Sequence, residues 1–304
     1  MMESHFSHSM KKNKSTNRKL IWVYPPNGWK STSNKTFVYG WSDPDAQLFV
    51  NDKKIKIFPN GNFAQTIKLP KKKNTVRLVQ ILNGKKKITE RKINVNPVGA
   101  TFTVARNKNN RAGARPARTI NNIVIDPGHG DKEHGTHSPK GIPEKVFNLQ
   151  VAKLFVETCH GMSLPRCKIY LTRNTDKFVS LKDRVDFAKK KKCNLFISIH
   201  HNALPDGEDP LKHRGVGIYY TNDFVKPFAQ SLLQNISKAA GLKKYGIFKR
   251  NLYVTKPDFY RGVLIECGFL IHPIEADCVT RKNIQEKIVR GIVKGSSLHT
   301  SQPL

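Results

Sequence analysis

The chain is short of acidic residues. Over 304 positions, 22 Asp and Glu stand against 54 Lys and Arg, giving a formal net charge of +32. Such a chain calls for a polyanionic neighbour: nucleic acid, an acidic lipid surface or an anionic cell wall. A Lys-rich bias spread over solvated faces is the alternative reading. Long apolar runs are missing as well. Nothing approaches the roughly 18 residues of a membrane-spanning helix, so no span is expected. The run LIWVYPP behind the basic N-terminus is too short for a signal-peptide core, so no export signal is visible. Cysteine is sparse, and Cys159, Cys167, Cys193, Cys267 and Cys278 form no C-x-x-C pair. That argues against a Cys-based zinc site, and the odd number argues against a pure disulfide framework. Buried free thiols are expected, with a Cys159–Cys167 bridge as the alternative. Aromatics are not interleaved with the Lys runs at 71–73, 85–87 and 189–192, and zinc-knuckle and RNP patterns are absent. Nucleic acid is therefore not expected as a partner.

What is present divides the chain in two. Residues 1–19 are polar, basic and aperiodic, and read as a disordered tail. From 20 to 96, short strand-like runs such as KTFVYGW, AQLFVN and TVRLVQIL alternate with turn signals such as Pro59-Asn60-Gly61 and Asn83-Gly84. This spacing predicts a small all-β sandwich. Residues 97–120, rich in Asn, Arg, Ala and Gly, predict a linker. From 121 to 299 strands and helices alternate, which predicts an α/β domain whose mostly parallel sheet is flanked by helices on both faces. Its expected strands are 122–127, 167–173, 194–203, 215–221, 251–255 and 262–270, its expected helices 144–161, 181–192, 225–241 and 282–298, and 300–304 form a tail.

In such sheets, ligand-binding groups collect at the carboxyl ends of the strands. The first strand of this domain runs into Asp126-Pro127-Gly128-His129, the third ends at His200-His201-Asn202, the last carries Glu266, and Glu144 opens the first helix. If the sheet is parallel, all of these meet at one edge. Two imidazoles and one carboxylate suit Zn²⁺, leaving a fourth position for water. Glu266, costly on an apolar strand unless something uses or pairs it, is the candidate proton acceptor. His200 and His201 face opposite sides of their strand, so one binds and the other is packed or exposed. His134 and His137 sit in a polar loop with no regular element to fix them, and are weaker candidates.

The motifs that carry these residues resemble those of the zinc-dependent N-acetylmuramoyl-L-alanine amidases of type 3. In that family's order, D-P-G-H-G stands at Asp126–Gly130, G-x-x-E-K at Gly141–Lys145, the T-R-x-x-D…L-x-x-R run at Thr172–Arg184, S-I-H-x-N-A at Ser198–Ala203 and [VL]-x-E-x-G-F-[LI] at Leu264–Leu270. The resemblance implies one zinc per chain held by His129, Glu144 and His200, with His201 at a variable position and Glu266 as general base. Arg173, Arg184 and Asn202 become candidates for touching the substrate or supporting the ligands. The implied reaction cleaves the amide between N-acetylmuramic acid and the L-alanine of the stem peptide. Peptidoglycan is then the partner, the place extracytoplasmic (periplasm or cell wall), the role autolytic or in cell division, and a protein activator is left open. A non-catalytic wall-binding protein of the same fold, or another zinc amide hydrolase of the wall, are the alternatives.

Two departures stand out. The family often has Glu or Gln where this chain has Gly217, and S-N-P where it has Ile271-His272-Pro273. Some members also carry a long inhibitory insertion after the Y-Y strand. Here only a few residues follow Tyr220, so no such plug is expected. The stretch from Gly40 to Gln80 resembles bacterial Ig-like modules, whose role is either wall binding and spacing or packing against the second domain.

Overall fold

The computed structural model describes residues 20–96, 120–161 and 167–296. The expected tails, and nearly all of the expected linker, lie outside the described residues.

The first part is built from β1 (Ile21–Tyr24), β2 (Trp29–Ser31), β3 (Lys35–Trp41), β4 (Gln47–Val50), β5 (Lys53–Ile55), β6 (Asn62–Lys68), β7 (Lys73–Leu82) and β8 (Lys85–Val95). Strands β1, β3 and β6 form one sheet; β2, β8, β7, β4 and β5, in that order, form the other. The long β7–β8 hairpin turns on Asn83 and Gly84, both at positive φ (50° and 72°), where Asn and Gly are the residues that tolerate it. Period-2 patterning fills the space between the sheets. Leu48 and Val50, Val76 and Leu78, and Ile93 and Val95 face inward against Trp22, Val38, Phe63 and Ile67. A one-residue slip would turn this whole set to water, which fixes the register.

The second part contains β9 (Asn122–Pro127), α1 (Glu144–Gly161), β10 (Lys168–Leu171), α2 (Leu181–Lys190), β11 (Leu195–Asn202), β12 (Val216–Tyr220), α3 (Lys226–Ala240), β13 (Lys244–Lys249), β14 (Arg261–Phe269), α4 (Pro273–Val279) and α5 (Lys282–Gly295). Its six-stranded sheet runs β10-β9-β11-β14-β12-β13. The first four strands are parallel, while β12 runs antiparallel to β14 and carries β13 alongside it. Helices α1, α3 and α5 cover one face through Phe155, Leu232, Ile288 and Ile292, packed on Ile125, Ile197 and Ile265. Helix α2 lies on the other face, where Ala188 and Phe187 meet Val124, Phe196 and Tyr260. Between β12 and α3 there is only Thr221, Asn222 and one 3₁₀ turn, Asp223–Val225.

Two elements differ from expectation. The stretch 251–255 forms turns, and the strand at this place in the chain is β13, whose Gly246 (φ 147°) sits at a register shift against β12 and weakens its strand signature. Helix α4 was not expected. It starts at Pro273, and the Nδ1 of His272 accepts the Ile274 and Glu275 amides. An unprotonated imidazole thus does at His272 what an Asn side chain does at an ordinary helix start.

The β sandwich is packed onto the α/β sheet. Phe37 and Tyr39 alternate with the inward-facing Val38, so they leave β3 on the opposite face, where they join Phe269 and Ile271. Around this apolar contact run polar ties. The Asp206 carboxylate accepts from Tyr24 Oη (2.6 Å), Trp29 Nε1 (2.9 Å) and Thr36 Oγ1 (2.5 Å). Asn60 and Asn62 both donate to the Pro273 carbonyl, and Tyr39 Oη donates to His137 O. Asp206 lies in the loop after β11 and His137 in the loop before α1, so the sandwich braces the two loops that flank the strand ends.

Candidate metal centre

His129, Glu144 and His200 come together at the carboxyl ends of β9 and β11. One potential ligand atom from each lies within 4.8 Å of the others. His129 Nε2 is 3.2 Å from Glu144 Oε2, and His200 Nδ1 is 3.0 Å from Glu144 Oε1. The carboxylate is buried at the start of α1, while the two imidazoles are half-open to a cleft of about 510 Å3. Burial raises the proton affinity of Glu144. The hydrogen bonds and charges of the two imidazoles outweigh this and hold its carboxyl well below the usual range.

The local sequence makes room for this set. A side chain at Gly128 would place its Cβ 2.1 Å from His200 Nε2, and one at Gly135 would fall 2.4 Å from Glu144 Oε2. His129 itself sits at φ 61°, a left-handed conformation that costs a non-glycine residue about 1 kcal/mol. Its backbone is held there from below. Arg184 donates to the carbonyls of His129 and Pro127 and pairs with Asp126; Arg173 donates to those of Pro127, Gly128 and Lys145. Both guanidinium groups are buried, Arg173 at 1% and Arg184 at 2% exposure, so they support the loop and do not face the cleft.

The carboxylate has supports that sequence reasoning missed. Asn148, one turn along α1, donates through Nδ2 to Glu144 Oε1 and accepts through Oδ1 from His201 Nδ1. The amides of Thr136 and His201 donate to the two carboxylate oxygens. An Asn four residues after a helix-opening Glu was the available signal. His201 points away from the cation-binding side, buried against Phe147, and burial pushes its pKa down to about 4. His134 and His137 face each other edge to face and join no group of three potential ligands among the described residues.

Glu266 stands across the cleft. It is the register partner of His200, so both side chains leave the same face of the sheet. Its Oε2 is shielded from solvent and has no hydrogen-bond partner among the described residues. Burial, and then the charge of Glu144, push its proton affinity well above that of an ordinary carboxylic acid. Asn202, Leu204, Tyr219, Leu252 and Leu264 complete the walls. A buried carboxylate clasped by two imidazoles, with an orphaned acid beside it, is a donor set that fits a divalent metal of the zinc type and a proton acceptor.

This is an α/β domain whose strand ends carry a donor set suited to a divalent cation, and comparison with known proteins gives the family. Residues 123–297 match the family model described as N-acetylmuramoyl-L-alanine amidase, and the chain belongs to that family. A probable cell wall amidase, LytH, of Staphylococcus saprophyticus is 30% identical over 182 residues, covering 59% of this chain and 58% of that protein. The N-acetylmuramoyl-L-alanine amidase LytC of Bacillus subtilis is 30% identical over 179 residues, 57% of this chain and 34% of the relative. The chain thus spans little more than half the length of the first of these curated relatives. Among solved structures, the catalytic domain of CwlV, the amidase of Paenibacillus polymyxa, superposes with a TM-score of 0.55 at 31% identity, covering 59% of this chain and 98% of that one. An N-acetylmuramoyl-L-alanine amidase from Clostridium difficile 630 gives 0.56 at 30% identity, over 61% and 100% of the two chains.

Proposed function

We propose that this chain hydrolyses the amide joining N-acetylmuramic acid to the L-alanine of the peptidoglycan stem, with one zinc ion held by His129, Glu144 and His200. The observation that carries the reading is the unpartnered Oε2 of Glu266, shielded from solvent beside a carboxylate clasped by two imidazoles. A bound zinc ion supplies Lewis acidity to the carbonyl and acidity to a water molecule. Glu144 and the two imidazoles fix the position of that acidity, because Asn148 and two backbone amides hold the carboxylate and the arginine-braced turn holds His129. Glu266 takes the proton from the attacking water and hands it to the leaving nitrogen, a role for which its raised proton affinity suits it. Arg173 and Arg184 act through the backbone they hold, and Asn202 lines the cleft.

The same reading places the working protein outside the cytoplasm, where its substrate is. No helix among the described residues is long and apolar enough to cross a membrane. The strong positive charge then serves retention on an anionic wall. The β sandwich is an Ig-like module that also braces the catalytic loops.

Digestion of purified sacculi tests this. The zinc-loaded chain should release peptides that begin with L-alanine, and Glu266→Gln should keep the zinc and lose the release. Liberation of single D-alanines instead would mark a carboxypeptidase, and sacculus binding with no release at all would mark a wall-binding protein.

A further inference from the structure

Beyond Glu266 and Tyr219, which line the cleft, the same face of the sheet carries further rings. Two adjacent rows cross β14, β12 and β13 there. One row is Glu266, Gly217 and Gly246; the next is Leu264, Tyr219 and Phe248. The row that begins at Glu266 has no further side chains, and aromatic rings fill the space. A Cβ at Gly246 would fall 3.0 Å from Phe248 Cζ, and one at Gly217 would fall 3.3 Å from Tyr245 Cδ1. The glycines therefore let these rings lie against the backbone. Tyr219 stacks on Phe248 with centroids 5.0 Å apart and an interplanar angle of 27°, and Phe248 meets Tyr245 at 5.1 Å. Tyr219 lines the cleft, and all three rings are half-exposed. The result is an aromatic shelf that starts beside Glu266 and ends at β13, the edge strand of the sheet.

We propose that this shelf, Tyr219, Phe248 and Tyr245, is a subsite for a pyranose ring of the glycan strand. The inference rests on the amidase reading and deepens it. A muramoyl amide hangs from the side of a polymer, so the polymer must run past the reacting carbonyl and leave the cleft. The shelf leads from Glu266 to β13, the last strand of the sheet, with its far end, Tyr245, seated on Phe269. Its chemistry selects the sugar over the peptide. The apolar C–H face of a β-linked pyranose lies flat on aromatic rings, and rings of this type hold apolar faces while keeping polar rims wet. A stem peptide carries carboxylates, and neither row contains a cation to receive them; Arg250, whose charge reaches Tyr219, lies outside both rows. Gly217 makes the shelf a feature of this chain: the Glu or Gln often found at that place in similar domains would crowd Tyr245, which a Cβ there would meet at 3.3 Å.

Calorimetric titration of the full chain with a peptide-free GlcNAc–MurNAc tetrasaccharide, and separately with a free stem tripeptide, tests the assignment. The tetrasaccharide should bind the wild type. Phe248→Ala and Gly217→Gln should each weaken it about five- to tenfold, the scale of one lost aromatic contact. Phe248→Trp should keep the affinity, and thermal unfolding should show that all three variants are folded. No tetrasaccharide binding by the wild type, unchanged binding by both weakening variants, or a loss confined to the tripeptide would overturn the assignment. A chain that binds the tetrasaccharide through Phe248 yet releases no peptide from sacculi would refute the amidase reading and leave the shelf standing. Peptide release with glycan binding indifferent to Phe248 would do the reverse.

Discussion

Replacing Arg184 by Met separates a supporting role from a substrate-binding one. The guanidinium is 2% exposed and makes four contacts: the Asp126 carboxylate and the carbonyls of Pro127 (2.9 Å), His129 (2.9 Å) and Val179 (3.0 Å). Met fills much of the volume but removes every donor. Among the described residues, Asp126 would keep the hydroxyls of Thr172 (2.6 Å) and Ser198 (2.8 Å) as hydrogen-bonding side chains, in a site shielded from water. Removing one partner of a buried ion pair costs about 3–5 kcal/mol. That is a large share of the roughly 5–15 kcal/mol by which a domain is stable. Arg184→Lys keeps the charge but not the planar fork, and should cost about half as much. Urea unfolding followed by far-UV circular dichroism measures the loss. Chelator competition should show zinc affinity falling about 10- to 100-fold as the turn under His129 loosens. A Met variant within about 1 kcal/mol of wild type, with zinc binding intact and only KM for wall fragments raised, would refute the reasoning and put Arg184 against the substrate.

Three further outcomes are expected. Asp206→Ala leaves the donors of Tyr24, Trp29 and Thr36 without their acceptor and should lower stability by about 2–4 kcal/mol in calorimetry; an unchanged profile would mean that the apolar contact alone holds the sandwich. Burial pushes the His272 imidazole down to about 4, and its Nδ1 must stay unprotonated to accept the two amides at the start of α4. Its contribution is therefore full above the unfolded value near 6.5 and is lost as pH falls towards 4, about 1–2 kcal/mol after allowance for solvent screening. His272→Asn should remove that part of the acid dependence, which unfolding curves across this pH range will show. Sacculus binding should weaken from low to high salt, and binding indifferent to salt would refute an electrostatic role for the basic surface.

The parts of the fold that could be read from the chain are those whose physics is local. Asn83-Gly84 announces a hairpin because those residues tolerate positive φ, and the apolar run 123–125 announces a buried strand because nothing else accommodates it. His129, Glu144, His200 and Glu266 line one cleft because the ends of parallel strands collect together. What escaped reading is long-range or irregular. Strand β13 carries a glycine at a register shift, and helix α4 begins on an imidazole where Ser, Thr, Asp or Asn is the usual signal. The spacing of Asn148 from Glu144 hinted at their contact, but its tie to His201 became visible only when α1 was seen against β11. The grip of Asp206 on three side chains of the sandwich, 170 or more positions away, has no sequence signature at all.

Zinc content per chain, measured on protein equilibrated with the metal and then freed of excess, probes the central claim most directly. The account predicts close to one zinc in the wild type and in Glu266→Gln, and a small fraction of that in His129→Ala, Glu144→Ala and His200→Ala. Full zinc occupancy in any of those three alanine variants, or none in the wild type, would contradict it.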